Sequence, residues 1–180
     1  MVLLVVDIQK GITDERLYQF ESFIANVTTI IDKARENHVE VIYVQHDDGP
    51  GTGFSVGDVD YEIADQVSPA PGEKIYTKEV NSAFSNKELD QYLKDLGENT
   101  VMIIGLQTNF CIDATIKSAF DRGYKVIVPQ GTNSTFENDF MDREATYKYY
   151  NEMMWPVRFA DCVSMENAVR LLQDQGAKQV

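Results

Sequence analysis

A carboxylate, an ammonium and a thiol, those of Asp7, Lys78 and Cys111, each stand where a short apolar run gives out, in the contexts VVDIQ, YTKEVNSAF and IIGLQTNFC. Gathered at one edge of a parallel sheet, they supply a nucleophile, a proton acceptor and a fixed positive charge, the parts of a covalent hydrolase. The thiol falls in the expected first turn of a helix, where unpaired N–H groups favour an anion, and Lys78 adds a full charge. Both effects are expected to lower the thiol from its free value of about 8.5. Asp7 is then placed to take the proton. Taken singly, a cysteine at a helix start is more often a small buried hydrophobe and a lysine a solvated surface charge. The set of three strand-end positions carries the reading.

Elements must deliver those side chains to one place, and the chain alternates short apolar runs with helical periodicity, the pattern of β-α-β units. LLVVDI, VEVIYVQ, KIYTK, NTVMIIGL and YKVIVP read as strands. Leu17, Phe20, Ile24, Val27, Ile31 and Ala34 recur at steps of three and four, as one buried helix face requires. From His46 to Gly72 the periodicity fades into a long loop containing DDGPGTG, suited to binding or lid function. Ser85 and Glu88 fit a capping box that opens a helix through Leu89, Leu93 and Leu96, with Gly97 placed to stop it. A helix from about Asn109 to Arg122 is expected to bury Ile112, Thr115, Ile116 and Ala119. The tail reads as a helical stretch around Asp142 to Glu152, a short strand near VRFA, and a final helix from Glu166 to about Asp174. The expected class is α/β: a three-layer α-β-α sandwich on a mainly parallel, doubly wound sheet, one domain over 1–180. In such sheets the ligand crevice lies outside the carboxyl ends of the strands.

Composition narrows the partners. A net charge of −13 argues against tracking phosphates on nucleic acid and lends nothing to binding an anionic membrane. The apolar run Met1 to Val6 is too short to span a bilayer and lacks the basic start and cleavage site of a signal peptide. Two cysteines without a secretory signal favour a reducing cytoplasm. What remains is a small-molecule partner, and the acidic surplus mildly favours neutral or cationic ones.

DIQ at 7–9, K-x₃-SAF at 78–84 and GLQTNFC at 105–111 stand in order along nearly the whole chain, and with them the sequence resembles the isochorismatase-like cysteine hydrolases, the superfamily of nicotinamidase and N-carbamoylsarcosine amidase. The resemblance implies Cys111 as nucleophile, Asp7 as base and then acid, and Lys78 as the group that orients and stabilises charge. It further implies a cis peptide at Leu106–Gln107, an oxyanion hole from the N–H groups of Gln107 and Cys111, and a homodimer or larger homo-oligomer. The implied reaction is hydrolysis of an amide or lactam C–N bond through a thioester, with no cofactor. Nicotinamidases hold a metal through an Asp-x-His pair and a later histidine. This chain has two histidines, and His38 precedes the second strand at the opposite edge from His46, so no metal site is expected. VQHDDGPGTGF and STFEND resemble a metal-free branch with members that hydrolyse streptothricin, although Tyr149-Tyr150-Asn151 stands where that branch commonly has His-His-Asn.

Gln9, His46, Phe84, Phe110 and Phe136 are the candidates for the substrate pocket, each with a structural alternative: core packing for the aromatic residues, loop hydrogen bonding for Gln9 and His46. Cys162 is expected to be structural. Two other functional classes are open to the same sequence, a thiol redox sensor built on Cys111 and a catalytically silent oligomer.

Overall fold

Seven strands form one sheet in a computed structural model that describes residues 1–177. The strands are β1 (Val2–Val6), β2 (Glu40–His46), β3 (Lys74–Lys78), β4 (Thr100–Leu106), β5 (Lys125–Pro129), β6 (Asn133–Ser134) and β7 (Asp161–Val163). Their order is β3-β2-β1-β4-β5-β7, with β6 paired to β4, and every pairing is parallel. From β1 the chain builds outward through β2 and β3, then returns to lay β4 on the other side of β1. That reversal between β1 and β4 is the switch point where a crevice opens at the carboxyl ends.

The apolar runs are continuous because helices cover both faces. Leu3 and Val5 of β1 face one layer, with Phe23, Val27, Ile30 and Ile31 of α1 (Phe20–Glu36) and Leu172 of α5 (Met165–Gly176). Val2, Leu4 and Val6 face the other, with Leu89 and Leu93 of α2 (Lys87–Asp95) and Ile116 and Ala119 of α3 (Asp113–Asp121). A last helix, α4 (Arg143–Lys148), runs into a wide π turn, Tyr149–Met154.

Four local expectations shift. Leu17 is buried but lies ahead of α1, which begins at Phe20. The cap of α2 is Asn86, whose side chain accepts from the N–H groups of Glu88 and Leu89, while Ser85 ends a short 3-10 turn at Ala83–Ser85. The late strand lies at Asp161–Val163, beyond the VRFA segment. The helix expected from Asn109 is split into a π turn at Thr108–Ile112 and α3. Among the described residues no helix is long and apolar enough to cross a membrane.

Candidate active site

Three strand ends set the site. Asp7 follows β1 with φ 52°, a left-handed turn that aspartate tolerates better than most residues, and its N–H donates to Val44 O at 2.8 Å. Lys78 closes β3 in register with His46, the last residue of β2. Near the end of β4, Gly105 has φ 131°, and a Cβ there would lie 1.9 Å from Val6 O. Only glycine lets β1 and β4 approach so closely at the switch point, and that approach brings Asp7 to the turn bearing Cys111. The Leu106–Gln107 peptide is cis.

The turn itself is braced from behind. Thr108 Oγ1 donates to Asn133 Oδ1 at 2.7 Å, and the buried Asn133 and Asn151 amides bond each other reciprocally at 2.9 and 3.0 Å. Gln107 Oε1 accepts from Thr135 Oγ1 at 3.2 Å and from the Phe136 N–H at 3.4 Å. Asn151 and the STFEND segment therefore hold the nucleophile's turn in place.

Asp7, Lys78 and Cys111 meet. Lys78 Nζ donates to Asp7 Oδ2 at 2.7 Å, to Cys111 Sγ at 3.3 Å and to His46 Nδ1 at 3.1 Å, which uses all three ammonium donors. The Lys78 side chain is 0% exposed and that of Asp7 1%, so water screens neither charge. Asp7 Oδ1 is buried with no partner among the described residues. Asn81 Oδ1 lies 3.8 Å from the sulfur.

Electrostatics here reverse one expectation. Burial, reinforced by the Asp7 charge, pushes the Cys111 thiol up to about 12, and the pull of Lys78 is the smaller effect. A cation and a helix start would by themselves hold the thiol below its free value, but desolvation and the neighbouring carboxylate outweigh them. Burial likewise raises the Asp7 carboxyl against the opposing pull of Lys78. Two acids share one ammonium in a dry site, so a single anion balances the charge and one proton stays with the pair. Asp7 and Cys111 titrate as a unit.

A cavity of about 240 Å³ opens onto the sulfur, lined by Asp7, Cys111, Gln107, His46 and Phe110, together with Ile12, Asp48, Phe54 and Asn81. Of the five pocket candidates it includes His46 and Phe110, the latter 51% exposed. The other three are corrections. Phe84 is buried in the core, its ring centroid 5.7 Å from that of Tyr124, because its 3-10 turn aims it inward. Phe136 packs on the opposite core under the Arg16 guanidinium, 4.6 Å from its ring. Gln9 is fully buried: its amide donates to His46 O and Tyr61 O, both at 2.9 Å, and accepts from the His46 N–H at 2.8 Å.

Ile12, Phe54, Asp48 and Asn81 were missed, since none belongs to a periodic pattern. Asn81 lies inside the K-x₃-SAF segment, Asp48 and Phe54 inside VQHDDGPGTGF, and Ile12 just beyond β1, and membership of those segments was the signal for them. The long loop after β2 is stitched down: Gly11 N–H donates to Asp60 O at 3.1 Å, Lys10 N–H to Glu62 O at 2.8 Å, and Gln9 bridges Ile63.

Asp7, His46 and Cys111 lie close enough to be considered as metal ligands. Each, however, has an atom within 3.3 Å of Lys78 Nζ, so the position where a cation would balance them is taken by the ammonium. Such a donor set does not fit a resident metal.

The family model described as Isochorismatase domain matches residues 1–166. The uncharacterized isochorismatase family protein YrdC of Bacillus subtilis is 31% identical over 81% of this chain and 78% of its own length. Nicotinamidase 3 of Arabidopsis thaliana is 29% identical over 80% of this chain and 77% of the relative. Streptothricin hydrolase of Streptomyces noursei is 26% identical over 75% of this chain but 54% of its own length. A crystal structure of an isochorismatase family protein superposes with a TM-score of 0.83 at 28% identity, covering 91% of this chain and 97% of that one.

Proposed function

The chain belongs to the isochorismatase family of hydrolases, and from that premise we propose that it cleaves the C–N bond of a small amide or lactam through a thioester on Cys111. One observation carries the reading: a buried ammonium bonded to both a thiol and a carboxylate, with the free oxygen of that carboxylate beside the thiol at the floor of a cavity.

Since the thiol rests protonated, attack on the substrate carbonyl is coupled to transfer of its proton to Asp7, whose own affinity for a proton is raised by burial. Lys78 keeps one positive charge beside whichever partner is anionic, so no net charge is created in the dry site. The carbonyl oxygen of the tetrahedral intermediate is received by the N–H groups of Gln107 and Cys111, and a missing donor there would cost roughly 3 kcal/mol of barrier. Protonated Asp7 then gives its proton to the departing nitrogen, and the C–N bond breaks to leave a thioester and an amine or ammonia. Water, losing a proton to Asp7, attacks the thioester, and the acid leaves as Cys111 recovers the proton.

Charge at the cavity selects the substrate class. Its wall carries the Asp48 carboxylate and Asn81 with the apolar faces of Ile12, Phe54 and Phe110, and the Lys78 ammonium beside it is consumed by its three partners. Neutral or cationic amides fit that wall better than carboxylates. A panel of small primary amides, lactams and ureido compounds, followed by amine release, tests the reading with Cys111→Ala as control. Turnover of a substrate by the wild type that survives in Cys111→Ala overturns it. Activity is expected to persist through exhaustive chelation.

A further inference from the structure

We infer that His46, held by Asp48 and Gln9, is a positioning residue that keeps the Lys78 ammonium directed at the Cys111 sulfur. The inference deepens the cysteine-hydrolase reading above and rests on it for its purpose, but not for its test.

Donor bookkeeping fixes the histidine. An ammonium only donates, so His46 Nδ1, at 3.1 Å from Lys78 Nζ, must accept. The ring proton then sits on Nε2, where it is donated to Asp48 Oδ1 at 2.9 Å. With both ring nitrogens engaged, His46 has no position left from which to exchange protons with a substrate, although it lines the cavity. Its backbone is equally constrained. The fully buried Gln9 amide grips the His46 N–H at 2.8 Å and the His46 C=O at 2.9 Å, and the His46–Lys78 pair ends the β2–β3 register.

What the ring prevents follows from the other two contacts of Lys78. The carboxylate oxygen at 2.7 Å is the strongest acceptor available to the ammonium and the sulfur at 3.3 Å the weakest. Asp7 also has a second oxygen with no partner among the described residues. A lysine freed from His46 would collapse onto both oxygens of Asp7 and leave the sulfur, removing the charge that supports a thiolate and occupying the oxygen that receives its proton. His46 takes the third donor and holds the ammonium between its two acid partners. The groups facing the ring are Lys78, Asp7 and Cys111 on the inner side and Asp47 and Asp48 on the loop side.

The test is alkylation of Cys111 by iodoacetamide, read by mass spectrometry against pH, which needs no substrate. His46→Ala is expected to react about tenfold more slowly at neutral pH, with its profile displaced to higher pH. His46→Asn places an amide oxygen near the Nδ1 position and should restore the rate to within about threefold of wild type. A purely structural role would alter stability without moving the profile, and asparagine would not rescue it. A His46→Ala profile that overlays wild type, or an asparagine variant as slow as alanine, overturns the inference. Should His46→Ala fail to fold, Asp48→Ala on the exposed loop decides: a rate lowered about threefold supports the positioning pair, and an unchanged rate overturns it. A wild type that cleaves nothing in the amide panel would defeat the hydrolase reading while leaving this comparison of profiles intact.

Discussion

Cys111 and Cys162 are both free, both partly buried, and both packed at the edge of the same apolar layer, yet one has the company of a nucleophile and the other does not. Burial raises each thiol, Cys111 to about 12 and Cys162 to about 11. Around Cys162, on the edge strand β7, the Asp161 carboxylate opposes ionisation. Around Cys111 a buried ammonium and a second acid stand within bonding reach. Desolvation alone therefore makes a thiol inert, and what distinguishes a nucleophile is a neighbour that takes its proton and a cation that stays when the proton leaves.

The largest effect expected from breaking this contrast is on turnover. Cys111→Ala should lower amide hydrolysis by roughly 10⁴-fold or more, since it removes the sulfur that carries the acyl group. Amine release, with the fold checked by circular dichroism, measures it.

Next in size is Lys78→Ala, which removes the cation from two buried acids. Breaking a buried pair by deleting one partner costs about 3–5 kcal/mol, to be read from urea unfolding. The sign with pH follows from the Asp7 carboxyl, already raised from 3.8 in the folded state. The folded chain holds that proton more tightly than the unfolded one, so its contribution is complete below 3.8 and is lost as pH rises through the folded value. Without Lys78 that value climbs further, so the decline in the variant's stability should begin near 3.8 as in wild type but continue to a higher pH. A decline that ends at the wild-type pH would mean that the ammonium does not govern the pair.

How far this contrast was legible beforehand depends on the range of the physics involved. Strand ends were legible because a sheet covered on both faces writes itself as apolar runs, and DIQ, K-x₃-SAF and GLQTNFC fall where those runs stop. The meeting of Asp7, Lys78 and Cys111 followed from the topology they imply. The direction of the thiol's shift did not, because desolvation depends on what closes over the sulfur, and nothing local in TNFC reports that. Phe84 and Phe136 failed for a similar reason: an aromatic residue near a signature segment has one backbone position but two directions, and their turns send both rings inward. Gln9 bonds a strand end 37 positions away, a distance no periodicity records. The Ser85 cap was displaced by one residue because the 3-10 turn ahead of α2 leaves Asn86 in the extended conformation a cap requires.

A smaller change sharpens the contrast by sign. The Asp7 charge is one of the causes that raise the Cys111 thiol, so Asp7→Asn removes a like charge and leaves Lys78 to pair with sulfur alone. Alkylation at neutral pH should therefore become faster, by about tenfold for each unit the thiol falls, while amide hydrolysis disappears because an amide side chain neither accepts nor returns the proton. A variant slow in both assays would show that Asp7 creates the thiolate and does not merely compete with it for Lys78.

The smallest expected effect is that of Cys162→Ala, and it is the most exacting for the comparison. Burial lifts both thiols well above neutrality, Cys162 to about 11 and Cys111 to about 12, so burial does not choose which is labelled first. Judged by their neighbours, Cys111 should be labelled first, because its thiolate has the Lys78 ammonium to meet, whereas a Cys162 thiolate would form beside the Asp161 carboxylate. Limited iodoacetamide at neutral pH, followed by peptide mass spectrometry, should find the label on Cys111. The Cys162→Ala variant should then keep the wild-type rate at Cys111 and the wild-type turnover to within about twofold, and lose about 1 kcal/mol or less of stability, as suits a half-buried sulfur exchanged for a methyl group. Label arriving first at Cys162 would mean that Lys78 does not hold a thiolate in the free protein, and that the nucleophile is made only when a substrate closes the site.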